Sequence, residues 1–82
     1  DPVNHRNGEF DVVTLDEKGY VFYEVKFRKQ KITKSIINKE IEQVNSTELK
    51  PYKYVFISRS GFDISPRDNL NLIDLSDLFK SE

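Results

Sequence analysis

Gly8-Glu9-Phe10-Asp11-Val12-Val13-Thr14-Leu15 and Tyr20-Val21-Phe22-Tyr23-Glu24-Val25-Lys26-Phe27 flank the segment Asp16-Glu17-Lys18-Gly19. Both flanks are rich in β-branched and aromatic residues, and the segment between them has turn chemistry, with Gly19 able to take a positive φ. The stretch predicts a β-hairpin. With Asp16 to Gly19 as the loop, Leu15 faces Tyr20. Counting back from there sets Val13 opposite Phe22, Asp11 opposite Glu24 and Glu9 opposite Lys26, all on one face because side chains alternate along a strand. A loop of Glu17-Lys18-Gly19 with a glycine bulge would shift the pairing by one and send Asp11 and Glu24 to opposite faces.

In the first register an Asp faces a Glu. Directly opposed residues have Cβ atoms about 5 Å apart, and like charges there are destabilising. A hard divalent cation resolves the conflict, since Mg²⁺ is commonly held by one or two carboxylates together with waters and phosphate oxygens. Lys26 follows Glu24 on the same face, where it can orient a water or stabilise charge developing on a phosphate. Two acids and a lysine on one sheet face therefore suggest metal-assisted phosphodiester chemistry. The plainer account is a cross-strand salt bridge between Glu9 and Lys26, with Asp11 and Glu24 solvated at a sheet edge.

Composition narrows the classes. The chain has 82 residues, 37% hydrophobic, 12% aromatic and 33% charged, which describes one small globular domain rather than a disordered segment. It contains no cysteine, so disulfides and thiolate sites are excluded, and its one histidine, His5, lies in a polar stretch and reads as solvated. No apolar run approaches the about 20 residues that span a bilayer, and no signal peptide opens the sequence; a cytoplasmic protein is expected. The net charge of −1 argues against a dedicated nucleic-acid coat. Lys26, Arg28, Lys29, Lys31, Lys34 and Lys39 nevertheless follow one another with no acid among them. That run can contact a phosphate backbone, or it can be a solvated loop and helix start.

Asp1 to Gly8 reads as a loop. Beyond the hairpin, Thr33 is a candidate N-cap for a helix from Lys34 to about Ser46, with Ile37, Ile41 and Val44 at helical spacing and Lys34, Lys39, Glu40 and Glu42 expected outside. Tyr52 to Ser58 contains the apolar run Tyr54-Val55-Phe56-Ile57, a strand covered on both faces. A helix between two strands predicts a right-handed crossover, which sets this strand parallel to the one carrying Glu24. Leu70, Leu72, Ile73 and Leu75 predict a further strand, and Ser76 a short terminal helix over Asp77 to Lys80. The expected fold is an α/β arrangement with a mixed sheet, an antiparallel hairpin and a parallel crossover helix, in a single domain over residues 1–82.

An acid on one strand, E-x-K on the next, then a helix and a central apolar strand together resemble the PD-(D/E)XK nuclease superfamily, whose core is restriction-endonuclease-like. More narrowly, Gly8-Glu9-Phe10-Asp11-Val12-Val13, Tyr23-Glu24-Val25-Lys26 and Tyr54-Val55-Phe56-Ile57-Ser58-Arg59-Ser60-Gly61-Phe62 look like the blocks of the uncharacterised C-terminal domain appended to AAA+ (STAND-like) ATPases of archaea and bacteria. The match covers roughly residues 8 to 63, and its last block is the most specific. It implies that Asp11 and Glu24 ligate Mg²⁺ or Mn²⁺ with help from the Val25 carbonyl, that Lys26 is the catalytic lysine, and that Glu9 assists or pairs with Lys26. Ser58, Ser60, Gly61 and Phe62 are expected to be structural, and Gln43 an exposed helical residue. ATP would enter only through an ATPase domain upstream in the same chain.

Two departures stand out. The superfamily's helix and strand before the Asp strand have no counterpart in Asp1 to Gly8, and Phe10 stands where a proline often precedes the acid. Either the chain is a C-terminal fragment of a longer ATPase, which is favoured, or a partner, such as another copy in a homo-oligomer, covers the exposed sheet edge. The expected function is metal-dependent hydrolysis of nucleic-acid phosphodiesters. The alternative is a non-catalytic regulatory, nucleic-acid-binding or protein-interaction module of the ATPase.

Overall fold

A computed structural model describes residues 8–79; His5 and all of the expected N-terminal loop but Gly8, like Lys80, lie outside them. The element order is β1 (Glu9–Asp16), β2 (Gly19–Lys26), α1 (Lys34–Asn45), β3 (Lys53–Ser58), β4 (Leu70–Asp74) and α2 (Ser76–Phe79). The four strands form one sheet in the order β1-β2-β3-β4, antiparallel between β1 and β2 and parallel thereafter. The expected mixed α/β sheet, with its parallel crossover through α1, is the fold observed.

The hairpin adopts the first of the two registers. Glu9 pairs with Lys26, Asp11 with Glu24, Val13 with Phe22 and Leu15 with Tyr20, and pairing continues to Asp16 and Gly19, so only Glu17 and Lys18 remain as the loop. Asp16 Oδ1 accepts from the backbone N–H groups of Lys18 (2.8 Å) and Gly19 (3.2 Å), closing the turn, while Gly19 has φ +138°. The Tyr52 hydroxyl donates to Asp16 Oδ2 at 2.7 Å, ties the turn to the β3 approach and holds the Asp16 carboxyl below its usual range.

Thr33 caps α1 as its position predicts: its hydroxyl oxygen accepts from the Ile36 N–H at 3.2 Å. The helix lays Ile36, Ile37, Ile41 and Val44 on a core built from Phe22, Tyr54, Phe56, Leu70 and Ile32, with Phe62, Ile64 and Leu72 around it. Phe22, Tyr54 and Leu70 stand in register across β2, β3 and β4, so one sheet face supplies most of this core. Glu24 and Lys26 lie farther along that same face of β2, and Asp11 lies beside Glu24 on β1. The opposite face carries Phe10, Val12, Tyr23, Val25, Ile57 and Ile73. Phe27 meets Phe79 of α2 edge-on at 5.7 Å, and Arg59 stacks over the Phe79 ring.

β1 is an edge strand, and from Phe10 to Asp16 every residue of it is exposed, Leu15 by 67%. At the other end of β3 the expected structural roles hold. Ser58 is fully buried; its hydroxyl donates to the Gly61 carbonyl and accepts from the N–H groups of Ser60 and Gly61, all at 3.0 Å. Gly61 has φ +91°, and a Cβ there would stand 3.1 Å from Asp74 Oδ2. The Ser60 hydroxyl donates to the Arg28 carbonyl, and Phe62 bridges to Ile32.

Candidate functional site

The hairpin brings Glu9, Asp11, Glu24 and Lys26 onto one face, and α1 covers its inner part. Glu24 is 0% exposed and Lys26 3%, whereas Asp11, on the edge strand, reaches solvent. The solvated pair of acids considered from sequence is therefore half right. One carboxylate faces water and the other lies in the interior.

Burial dominates the electrostatics of Glu24. It pushes the carboxyl up to about 8 from an ordinary 4.5; Lys26 pulls the other way, and the charges of Glu40, Asp11 and Glu9 add to the rise. The Lys26 ammonium stands 3.8 Å from Glu24 Oε2 and 3.8 Å from Glu9 Oε1, ion-pair separations beyond hydrogen-bond length. Its hydrogen bond goes to Glu40 Oε2 on α1 at 3.0 Å. Glu9 in turn is gripped by Arg28, whose Nε and a terminal guanidinium nitrogen lie 2.7 and 2.6 Å from Oε2. Three acids and two bases thus share one partly desolvated cluster.

Several expectations change here. Glu40 is half-buried and bonded to Lys26, not displayed on the outer face of α1, because it lies three residues after Ile37 and four before Val44 and so falls on their side of the helix. That spacing was the available signal. Glu9 does stand opposite Lys26, but Arg28 is its hydrogen-bond partner. Lys26 and Arg28 are consequently committed to acids, and the basic run offers a phosphate backbone only Lys29, Lys31, Lys34 and Lys39, all exposed. Gln43 is exposed, as expected. The Val25 side chain goes to the opposite face. The Phe27 N–H donates to the Gly8 carbonyl, and by the alternation of an antiparallel ladder the Val25 carbonyl also points toward β1, beside Asp11.

Do these residues suit a divalent cation? Among the described residues no three His, Asp or Glu are grouped closely enough to form a complete protein cage. Mg²⁺ does not need one, since one or two carboxylates with waters and substrate oxygens suffice. Asp11 and Glu24, opposed across the hairpin, supply that number. The donor set fits a hard cation at Asp11 and Glu24.

Comparison with family models, with curated proteins and with solved structures gives no match. Among the described residues no helix is long and apolar enough to cross a membrane.

Proposed function

We propose that this chain is a metal-dependent nuclease-like domain of the PD-(D/E)XK kind, hydrolysing nucleic-acid phosphodiesters and attached to an AAA+ ATPase. The observation that carries the reading is the buried Glu24, set opposite Asp11 and beside Lys26. A fully buried acid raised to about 8 is costly to ionise, and a purely structural site would be better served by an apolar residue. Asp11 and Glu24 would hold Mg²⁺ or Mn²⁺, with the Val25 carbonyl beside them. A cation bound there supplies charge neutralisation at the phosphate and lowers the pKa of a bound water. Lys26 contributes a second positive charge on the same face, which from within its cluster of acids would offset charge developing on the phosphate. Glu9, braced by Arg28, balances the ammonium on one side.

One observation favours the alternative of a non-catalytic regulatory or docking module: the hydrogen bond from Lys26 to Glu40 makes the lysine part of a closed ion cluster, as a structural residue would be. Two measurements divide the readings. Mg²⁺ or Mn²⁺ titration followed by NMR should move the Asp11 and Glu24 resonances in the wild-type chain and not in Asp11→Asn; an unperturbed wild-type spectrum rules out the metal site. A nuclease assay on the protein joined to its ATPase should lose cleavage in Lys26→Met. Cleavage that survives this change is not the domain's own.

A further inference from the structure

The two edges of the sheet are built differently. β4 has five residues, and its first, Leu70, exchanges backbone hydrogen bonds with Arg67 at 2.9 and 3.2 Å, so the preceding loop blunts that side. β1 has eight residues, keeps an unbroken register with β2 and contains no proline, lysine or glycine. Among the described residues no strand lies along its outer side. The Phe27 N–H donates to the Gly8 carbonyl, which sets the alternation of the ladder. Phe10, Val12, Thr14 and Asp16 therefore turn their backbone groups to β2, while Glu9, Asp11, Val13 and Leu15 turn theirs outward. Phe10, Val12, Val13 and Leu15 are exposed around this edge.

We propose that β1 pairs antiparallel with β1 of a second copy about a two-fold axis at Val12, joining two four-stranded sheets into one. Symmetry and charge select that register. Outward backbone groups must meet outward ones, so the axis stands at a residue and not between two. An axis at Asp11 opposes two aspartates, and one at Val13 sets Glu9 against Glu17; like charges directly opposed are destabilising. Axes nearer either end of β1 pair too few residues. At Val12 the axis opposes Val12 to Val12, Phe10 to Thr14, Val13 to Asp11 and Leu15 to Glu9, with no acid against an acid. One strand pair is a narrow contact, so the dimer is reversible and depends on concentration. The pairing groups are backbone, which makes it independent of a cation at Asp11 and Glu24.

Sedimentation equilibrium of the whole chain, from micromolar to millimolar concentration, should show the mass rising from 9.7 kDa toward twice that. Over the same range hydrogen exchange should slow at the outward amides of Asp11, Val13 and Leu15 and stay constant at Val12 and Thr14, which face β2. The chain has no cysteine, so single substitutions read the register. Val12→Cys should cross-link under oxidised glutathione, since opposed residues of a non-hydrogen-bonded pair have Cα atoms about 4.5 Å apart, within disulfide reach. Thr14→Cys should not, because its counterpart lies about 13 Å further along the strand. Val13→Pro removes a donor aimed at the second copy and none aimed at β2, and should hold the mass at that of one chain. Should it fail to fold, Val13→Asp sets an acid against the partner's Asp11 on both sides of the axis and should weaken the dimer roughly tenfold. A mass that stays at one chain throughout overturns the inference, and is the result expected if a segment of the same chain lay along β1. Dimerisation undiminished in a folded Val13 variant, or a cross-link in Thr14→Cys equal to that in Val12→Cys, overturns it as well.

Discussion

Glu24 and Lys26 set the behaviour of the site residue by residue. Burial pushes the Glu24 carboxyl up to about 8, against 4.5 when unfolded. Between those values the folded state keeps a proton that the unfolded state has lost. Stability therefore falls as pH rises from about 4.5 to about 8 and levels off above, the reverse of the usual salt-bridged acid. Urea unfolding in chelator between pH 5 and 9 should show that decline in the wild type and a flatter profile in Glu24→Gln; parallel profiles would contradict the burial. Lys26→Ala removes the ammonium from among Glu9, Glu24 and Glu40, which should push the Glu24 carboxyl higher still and lower the urea midpoint. Ser58→Ala should cost about 1–3 kcal/mol by the same measurement, since the Ser60 and Gly61 N–H groups lose their acceptor. The grouping of Glu9, Asp11, Glu24 and Lys26 was legible because all four are read off one hairpin. Arg28 and Glu40 were not, because charged residues in a basic run and on a helix are ordinarily solvated, and only their position relative to Lys26 and to the Ile37–Val44 stripe sets them apart.

Among the elements, the hairpin carries the most information. Its register follows from turn chemistry at Asp16 and Gly19, a local property, which is why the sequence discloses it. β1 itself offers little to hold the register, since Glu9 is the one residue of the strand that is buried. Inserting one glycine between Glu17 and Lys18 is accordingly expected to slide β1 by one residue and to carry Asp11 away from Glu24. Amide and side-chain NOEs report the pairing, and Mg²⁺ affinity should disappear with it; a retained Asp11–Glu24 contact would show that Glu9 and Arg28 anchor the strand instead. The crossover was equally readable: Thr33 as cap, an apolar stripe, then a continuous apolar strand. Thr33→Ala should lower stability by about 1 kcal/mol through the lost cap on α1.

For the molecule as a whole, the layers are unequal. α1 and the loops around Phe62 and Ile64 close one side of the sheet, and the other side shows Phe10 and Val12, 52% and 46% exposed, beside an open β1 edge. Sequence patterning located the sheet and its buried side but not the depth to which Glu24 would sink, because that depth depends on α1 docking over the hairpin. The same dependence has a kinetic side. Asp11 and Glu24 can meet as soon as the ribbon zips, while the interior around Glu24 forms only when the helix arrives. Refolding in weakly buffered solution near pH 6.5 should thus draw a proton from the medium in step with helix docking, making an indicator dye a clock for the last stage of assembly.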